Sequence, residues 1–279
     1  MTIDIQLVET TLQAHINDDS LELPVLPAVA NQVIQLTHNP DVTNKELADL
    51  LQRDLALASH TMRFANSAAY SPVTKLVSLQ QAIARLGMQT IAEIALASTL
   101  NAKLFKVPGY EEHAIEIWRH ALATALWCKE LARFTRRNID TTFLAGLLHS
   151  IGRPVILQAV LKIAEDLNVT PTREQICDLE ERFQREVGLK VCQQWQMPTL
   201  VQTAIEYLNN HQDAPSHNEQ IAIVCGATSF ARHMLDPDGL NKEQLCQLEI
   251  IEQLNLYEDE VNKLLDAKDV IKETLEAIS

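Results

Sequence analysis

Glycine is scarce in this chain, with 7 in 279 residues and no cluster among them. No G-x-G-x-x-G and no G-x-x-x-x-G-K-[ST] can be found, so nucleotide binding through a glycine-rich phosphate loop is excluded as the main design. Cysteine offers no framework either: Cys128, Cys177, Cys192, Cys225 and Cys246 are scattered, odd in number and never spaced C-x-x-C. Reduced thiols in a cytoplasm are the expectation. Basic charge is in deficit, 23 Lys and Arg against 37 Asp and Glu, a net of −14. A general nucleic-acid binder or a reader of anionic membranes needs the opposite balance. The N-terminus has no basic start followed by an apolar run, and no uninterrupted apolar segment is expected to span a bilayer. No G-x-S-x-G occurs, and no cysteine has a histidine close by in sequence. Alternating β-branched runs are missing as well, which argues against a sheet.

What is present is helical pattern nearly throughout, with 47% hydrophobic residues to build a core. Residues 26–38 carry apolar side chains close to a 3.6 period. Thr43 with Glu46, and Ser78 with Gln81, read as capping boxes. The spacing predicts an all-α fold. Pro108 and Gly109 in FKVPGYEEH stop one helix before another begins, which divides the chain into an N-terminal helical lobe (1–107), a second lobe (108–235) and acidic C-terminal helices (236–279). The helix around 111–135 is apolar nearly all round at residues 121–128, so protein must surround it. His120 stands at the start of that stretch, and His149 ends the similarly apolar TTFLAGLLH. From residue 240 onward there are ten acidic and four basic residues. There Leu254, Tyr257, Val261, Leu264, Lys268, Ile271, Leu275 and Ile278 form a heptad-like seam. It folds back on the core as an amphipathic helix, or it serves a homodimer or partner contact.

Three stretches, in order, resemble the HDOD family, a bacterial regulatory relative of the HD-domain phosphohydrolases. They are LELPVLPAVANQVIQLTHNPDVTNKELADLLQRDLALASHTMRFANSAAY (21–70), SLQQAIARLGMQTIAEIALAS (78–98) and FLAGLLHSIGR (143–153). REVGLKVCQQWQMP (185–198) and AIEYLNNH (204–211) extend the likeness, which spans about 20 to 235. The resemblance implies an N-terminal helical bundle packed on a degenerate HD-like lobe. It also supplies a test of chemistry. An HD phosphohydrolase holds its metal with a distant His, an adjacent His-Asp pair and a late Asp, so that carboxylates neutralise an ion that activates water. His120 and His149 match the two histidines. Ser150 replaces the paired Asp, and the late Asp falls near Thr228 in a segment with no acid. A further histidine of some relatives falls at Gln184, and a double histidine at Leu208 and Asn209, with His211 just beyond.

The expectation is therefore a pseudo-enzyme that needs no cofactor and acts in signal transduction by binding a protein partner or small signalling ligand, with no nucleic acid and no membrane. The alternative is a phosphohydrolase whose divalent metal sits in a rearranged site of His113, Glu116, His120 and His149. The first three are at i, i+3 and i+7 on one helix face. Against that, His113 and Glu116 also read as part of an exposed, acid-rich first turn. A third reading is a module that binds a cyclic dinucleotide or ppGpp-like ligand without turnover. Arg153 is a candidate for an anion or for a salt bridge. Arg133, Arg136 and Arg137 touch phosphate or end a helix. Asn66, Ser67, Ser150 and Thr228 carry structural roles implied by the family pattern.

Overall fold

Side-chain caps set several of the helix starts, and they do so where the sequence marks them. Thr43 accepts from the Glu46 amide while Glu46 accepts from the Thr43 amide at 2.8 Å, a complete capping box. Ser78 accepts from the Gln81 amide, but Gln81 returns to the Val77 amide at 3.1 Å, one residue earlier than the motif requires. Thr172 with Gln175, and Asn241 with Gln244, form two further boxes.

The structure is a computed structural model, and it describes residues 3–39, 41–66, 75–137 and 142–278. The helices are α1 (Ile3–Asn17), α2 (Ala28–His38), α3 (Asn44–Gln52), α4 (Leu55–Ala65), α5 (Leu79–Leu86), α6 (Met88–Leu104), α7 (Glu111–Phe134), α8 (Thr142–Leu148), α9 (Gly152–Asp166), α10 (Arg173–Gln194), α11 (Thr199–Tyr207), α12 (Asn218–Leu235), α13 (Lys242–Cys246), α14 (Glu249–Gln253), α15 (Glu258–Leu265) and α16 (Lys268–Ile278). No strand occurs among the described residues, so the fold is all-α as the pattern predicts.

α2 to α6 form the N-terminal bundle, with α2 and α4 packed on α6. α7 is the axis of the second lobe. It is buried on both sides by α8 and α12, while α9 lies along α10 and α11 closes the gap between α8, α10 and α12. The lobes do not divide cleanly at residue 107. α1 packs on α9 and α10 of the second lobe. Salt bridges from Arg182 to Glu9 and from Lys162 to Glu22 pin it there, and the Trp195 indole donates to the Pro24 carbonyl at 2.7 Å. One apolar core runs from Ile5 to Leu275.

The C-terminal seam is folded back. Val261, Leu264, Ile271 and Leu275 are buried, and α16 packs on α4, α6 and α7, tying the two lobes together. Tyr257 and Val270 face outward; the side chain of Ile278 lies outside the described residues. Thr142–Asp166, which is α8 and α9 with the turn between them, is long and apolar enough to cross a membrane by length and composition alone. Most of its apolar stretch is buried inside the protein, as in a core helix, while Gln158, Lys162, Glu165 and Asp166 face solvent.

The crossing of α9 and α10 depends on glycine. A Cβ on Gly152 would lie 2.1 Å from the Gln184 carbonyl oxygen, so only hydrogen fits between the two backbones. Gly188 faces the same crossing, its Cβ position 3.5 Å from the Gly152 nitrogen.

Candidate functional site

Two helix segments present the expected histidine pair. α7 holds His120 at the edge of its fully buried stretch, and His149 follows directly after α8. The two rings tilt against each other with centroids 5.5 Å apart. His149 Nδ1 lies 2.7 Å from the Gly146 carbonyl oxygen. A carbonyl can only accept, so Nδ1 carries the hydrogen and Nε2 keeps its lone pair.

The charges around the pair have the opposite sign to a metal site. Burial lowers His120 to a pKa of about 4, with Arg153 and Arg232 adding repulsion and a backbone hydrogen bond at Thr228 working the other way. Burial lowers His149 to about 3, helped by His120 and Arg153. Both imidazoles are neutral at pH 7, and the charged neighbours that act on them are guanidinium groups. At the two positions where the family resemblance expects carboxylates stand hydroxyls. Ser150 is buried and its Oγ has no hydrogen-bond partner. Thr228 Oγ1 donates to the Cys225 carbonyl within its own helix at 2.7 Å. A divalent ion here would meet two neutral imidazoles, no carboxylate and two like charges. The residues do not fit the ion that the fold family implies.

The other candidates are drawn elsewhere. Glu116 does not join His120; it is exposed and paired with Arg173. His113 is buried rather than part of an exposed first turn, and its Nε2 donates to Glu180 Oε1 at 2.8 Å. Arg153 Nε and Nη2 donate to Glu180 Oε2 at 3.1 and 2.8 Å. Thus the four-residue set His113, Glu116, His120 and His149 is not assembled. Glu180, fully buried on α10, links α7 to α9 instead. Sequence reasoning missed Glu180, although it lies in register with Ile176, Leu179, Phe183 and Val187, a charge inside an apolar stripe. Together with Cys177, one helical turn earlier, His113 and Glu180 form a cluster whose ligating atoms lie within 4.8 Å of one another.

The arginines after α7 end the helix. Arg136 takes φ +56°, its amide donates to the Arg133 carbonyl, and Arg133 and Arg137 pair with Glu130 and Glu219. Asn66 is a clasp: its amide donates to the Leu76 carbonyl at 3.0 Å and its oxygen accepts from the Leu76 amide at 2.7 Å, joining the end of α4 to the residues just before α5. Ser67 lies outside the described residues. His211 sits in a short 3₁₀ turn, His211–Asp213, beside the exposed Asn210.

Residues 23–211 match the family model of the HDOD domain. The chain belongs to the HDOD family. An uncharacterized protein of Treponema pallidum (strain Nichols) is 23% identical over 245 residues, 84% of this chain and 47% of that protein. The chain therefore spans about half the length of the curated relative it matches. Among solved structures it resembles one named "Putative metal-dependent phosphohydrolase" from Shewanella amazonensis SB2B, with TM-score 0.76 and 22% identity over 100% of both chains. An HDOD domain protein with unknown function from Geobacter sulfurreducens gives TM-score 0.71 at 22% identity, covering 98% of this chain and 96% of that one. A "Putative signal transduction protein" from Marinobacter aquaeolei VT8 gives 0.67 at 24%, covering 99% and 66%. At these identities the likeness is one of fold.

Proposed function

We propose that this HDOD chain is a non-catalytic regulatory protein of a bacterial cytoplasm, which passes a signal by binding a protein partner or a small signalling ligand. The observation that carries the reading is the histidine pair: His120 and His149 are 5.5 Å apart, with arginines as their charged neighbours and hydroxyls at 150 and 228. Metal-assisted hydrolysis needs an ion held and partly neutralised by carboxylates, which then lowers the pKa of bound water. This pair offers no anionic ligand, so the ion that would generate the nucleophile is repelled instead.

The same electrostatics favour the anionic class of small ligand. Arg153 is already paired with Glu180, so the exposed Arg232 beside the two neutral imidazoles is the group that would meet a phosphorylated molecule, such as a cyclic dinucleotide or a ppGpp-like nucleotide, bound without turnover. Self-association through the C-terminal segment would have to use Tyr257 and Val270, the large apolar side chains it leaves exposed. The buried thiols are consistent with a reducing compartment: burial holds Cys192 and Cys225 up at about 12 and Cys128 well above its usual value.

The test is turnover. Phosphodiesters, cyclic dinucleotides and nucleotides are offered to the full chain with Mn²⁺, Fe²⁺ or Mg²⁺, and binding of the same ligands is measured by calorimetry. Binding or inertness without hydrolysis is the expected result. Hydrolysis that disappears in His149→Ala would sink the regulatory reading.

A further inference from the structure

The second cluster on α7 and α10 has the make-up that the histidine pair lacks. His113 contributes an imidazole, Cys177 a thiol and Glu180 a carboxylate, with one ligating atom of each within 4.8 Å of the others. Cys177 and Glu180 are i and i+3 on α10, so they share a face, and α7 brings His113 to it. We propose that His113, Cys177 and Glu180 form a binding site for one zinc-class divalent cation, distinct from the family's histidine pair.

Three features support it. The donor set is mixed nitrogen, sulfur and oxygen, which suits a borderline-soft ion of tetrahedral preference and not calcium or magnesium. Ligand atoms around such an ion are separated by less than about 4 Å at ordinary metal–ligand distances, and those of the cluster already lie within 4.8 Å of one another. The carboxylate is already oriented: Arg153 holds Glu180 Oε2 through two hydrogen bonds, leaving Oε1 directed at His113.

On binding, Cys177 gives its thiol proton to solvent, and the His113 proton moves from Nε2 to Nδ1. A thiolate and a carboxylate then face the dication, with Arg153 on the far carboxylate oxygen and Arg173 beside Cys177 and Glu116 as the neighbouring positive charges. Cys177 is only partly buried, so solvent can reach the fourth position. The ion would replace the His113–Glu180 hydrogen bond and clamp α7 to α10. This inference does not depend on the regulatory reading, because it involves neither His120 nor His149.

The experiment uses the full chain without a polyhistidine tag, stripped with chelator and titrated with zinc against a chromophoric competitor of micromolar affinity. One equivalent per chain is expected, with Cys177 shielded from iodoacetamide by the ion. Cys177→Ser should weaken binding about 100-fold or more, since even supporting residues of a metal site cost 10- to 100-fold. His113→Gln should do the same, with helical content checked by circular dichroism; Cys177, being partly exposed, supplies the variant least disturbing to the fold. Failure to bind in that range, or binding unchanged in Cys177→Ser, overturns the proposal. So does binding that survives in Cys177→Ser and vanishes in His120→Gln, since that places the ion on the histidine pair.

Discussion

Gly152→Ala puts one methyl group where two helix backbones nearly touch. Its Cβ would lie 2.1 Å from the Gln184 carbonyl oxygen, with the carbonyl carbon and Cα of Gln184 at 2.8 and 2.9 Å. These are backbone atoms, so no side-chain rotation can relieve the overlap, and α9 must move from α10 by about 1 Å to restore van der Waals contact. Overpacking of a buried contact costs about 3 kcal/mol. Against this, alanine restricts the unfolded chain and stabilises by about 0.4–1 kcal/mol. The net loss is at least about 2 kcal/mol, or about 4–8 °C in Tm for a chain of this size. The shift also pulls Arg153 on α9 away from Glu180 on α10, whose bonds are 2.8 and 3.1 Å. Urea unfolding of Gly152→Ala, Glu180→Ala and the double variant reads both effects. The double variant should lose less than the sum of the single ones, because the ion pair is already broken. A net change under about 1 kcal/mol, or strict additivity, would refute the close-crossing argument.

Glu180→Ala should cost about 3–5 kcal/mol in urea unfolding of metal-free protein, because Arg153 and His113 lose their buried partner; Arg153→Met with Glu180→Met should recover most of it, and a loss no larger than that of a surface pair would discount the network. Acid should destabilise the protein through His120 and His149. Their folded pKa values of about 4 and 3 lie below the ordinary 6.5, so the unfolded state binds more protons. Their contribution is complete above pH 6.5 and is lost as pH falls, up to about 3 kcal/mol each by pH 4. Urea midpoints that stay flat from pH 7 to 4.5, or that fall equally in the His120→Gln/His149→Gln variant, would contradict this. Asn66→Ala removes two bonds to the Leu76 backbone and should cost about 1–3 kcal/mol by thermal unfolding; an unchanged Tm would mean the clasp contributes nothing.

The local chemistry of the helices was legible because it is carried by neighbours in sequence. Thr43 and Glu46 cap one helix as read, and the apolar stretch 121–128 is buried as read. The identities of Ser150 and Thr228 were equally plain; that they stand where acids would is what the family resemblance implies. Helical spacing put His113 and His120 on one face of α7, yet the partners of His113 come from α10, 67 residues away in the case of Glu180.

The sequence by itself determined the all-helical architecture, the positions of the two histidines and the hydroxyl residues, Ser150 and Thr228, that stand where the family resemblance expects acids. Each of these follows from periodicity, capping or the residue present at one place. The tertiary structure decided which charges face each other. It set arginines beside the histidine pair, buried Glu180 between His113 and Arg153, and folded the C-terminal seam onto α4, α6 and α7. Those outcomes depend on helix crossings fixed by packing, such as the one that only Gly152 permits, and packing sums contacts between residues far apart in the chain.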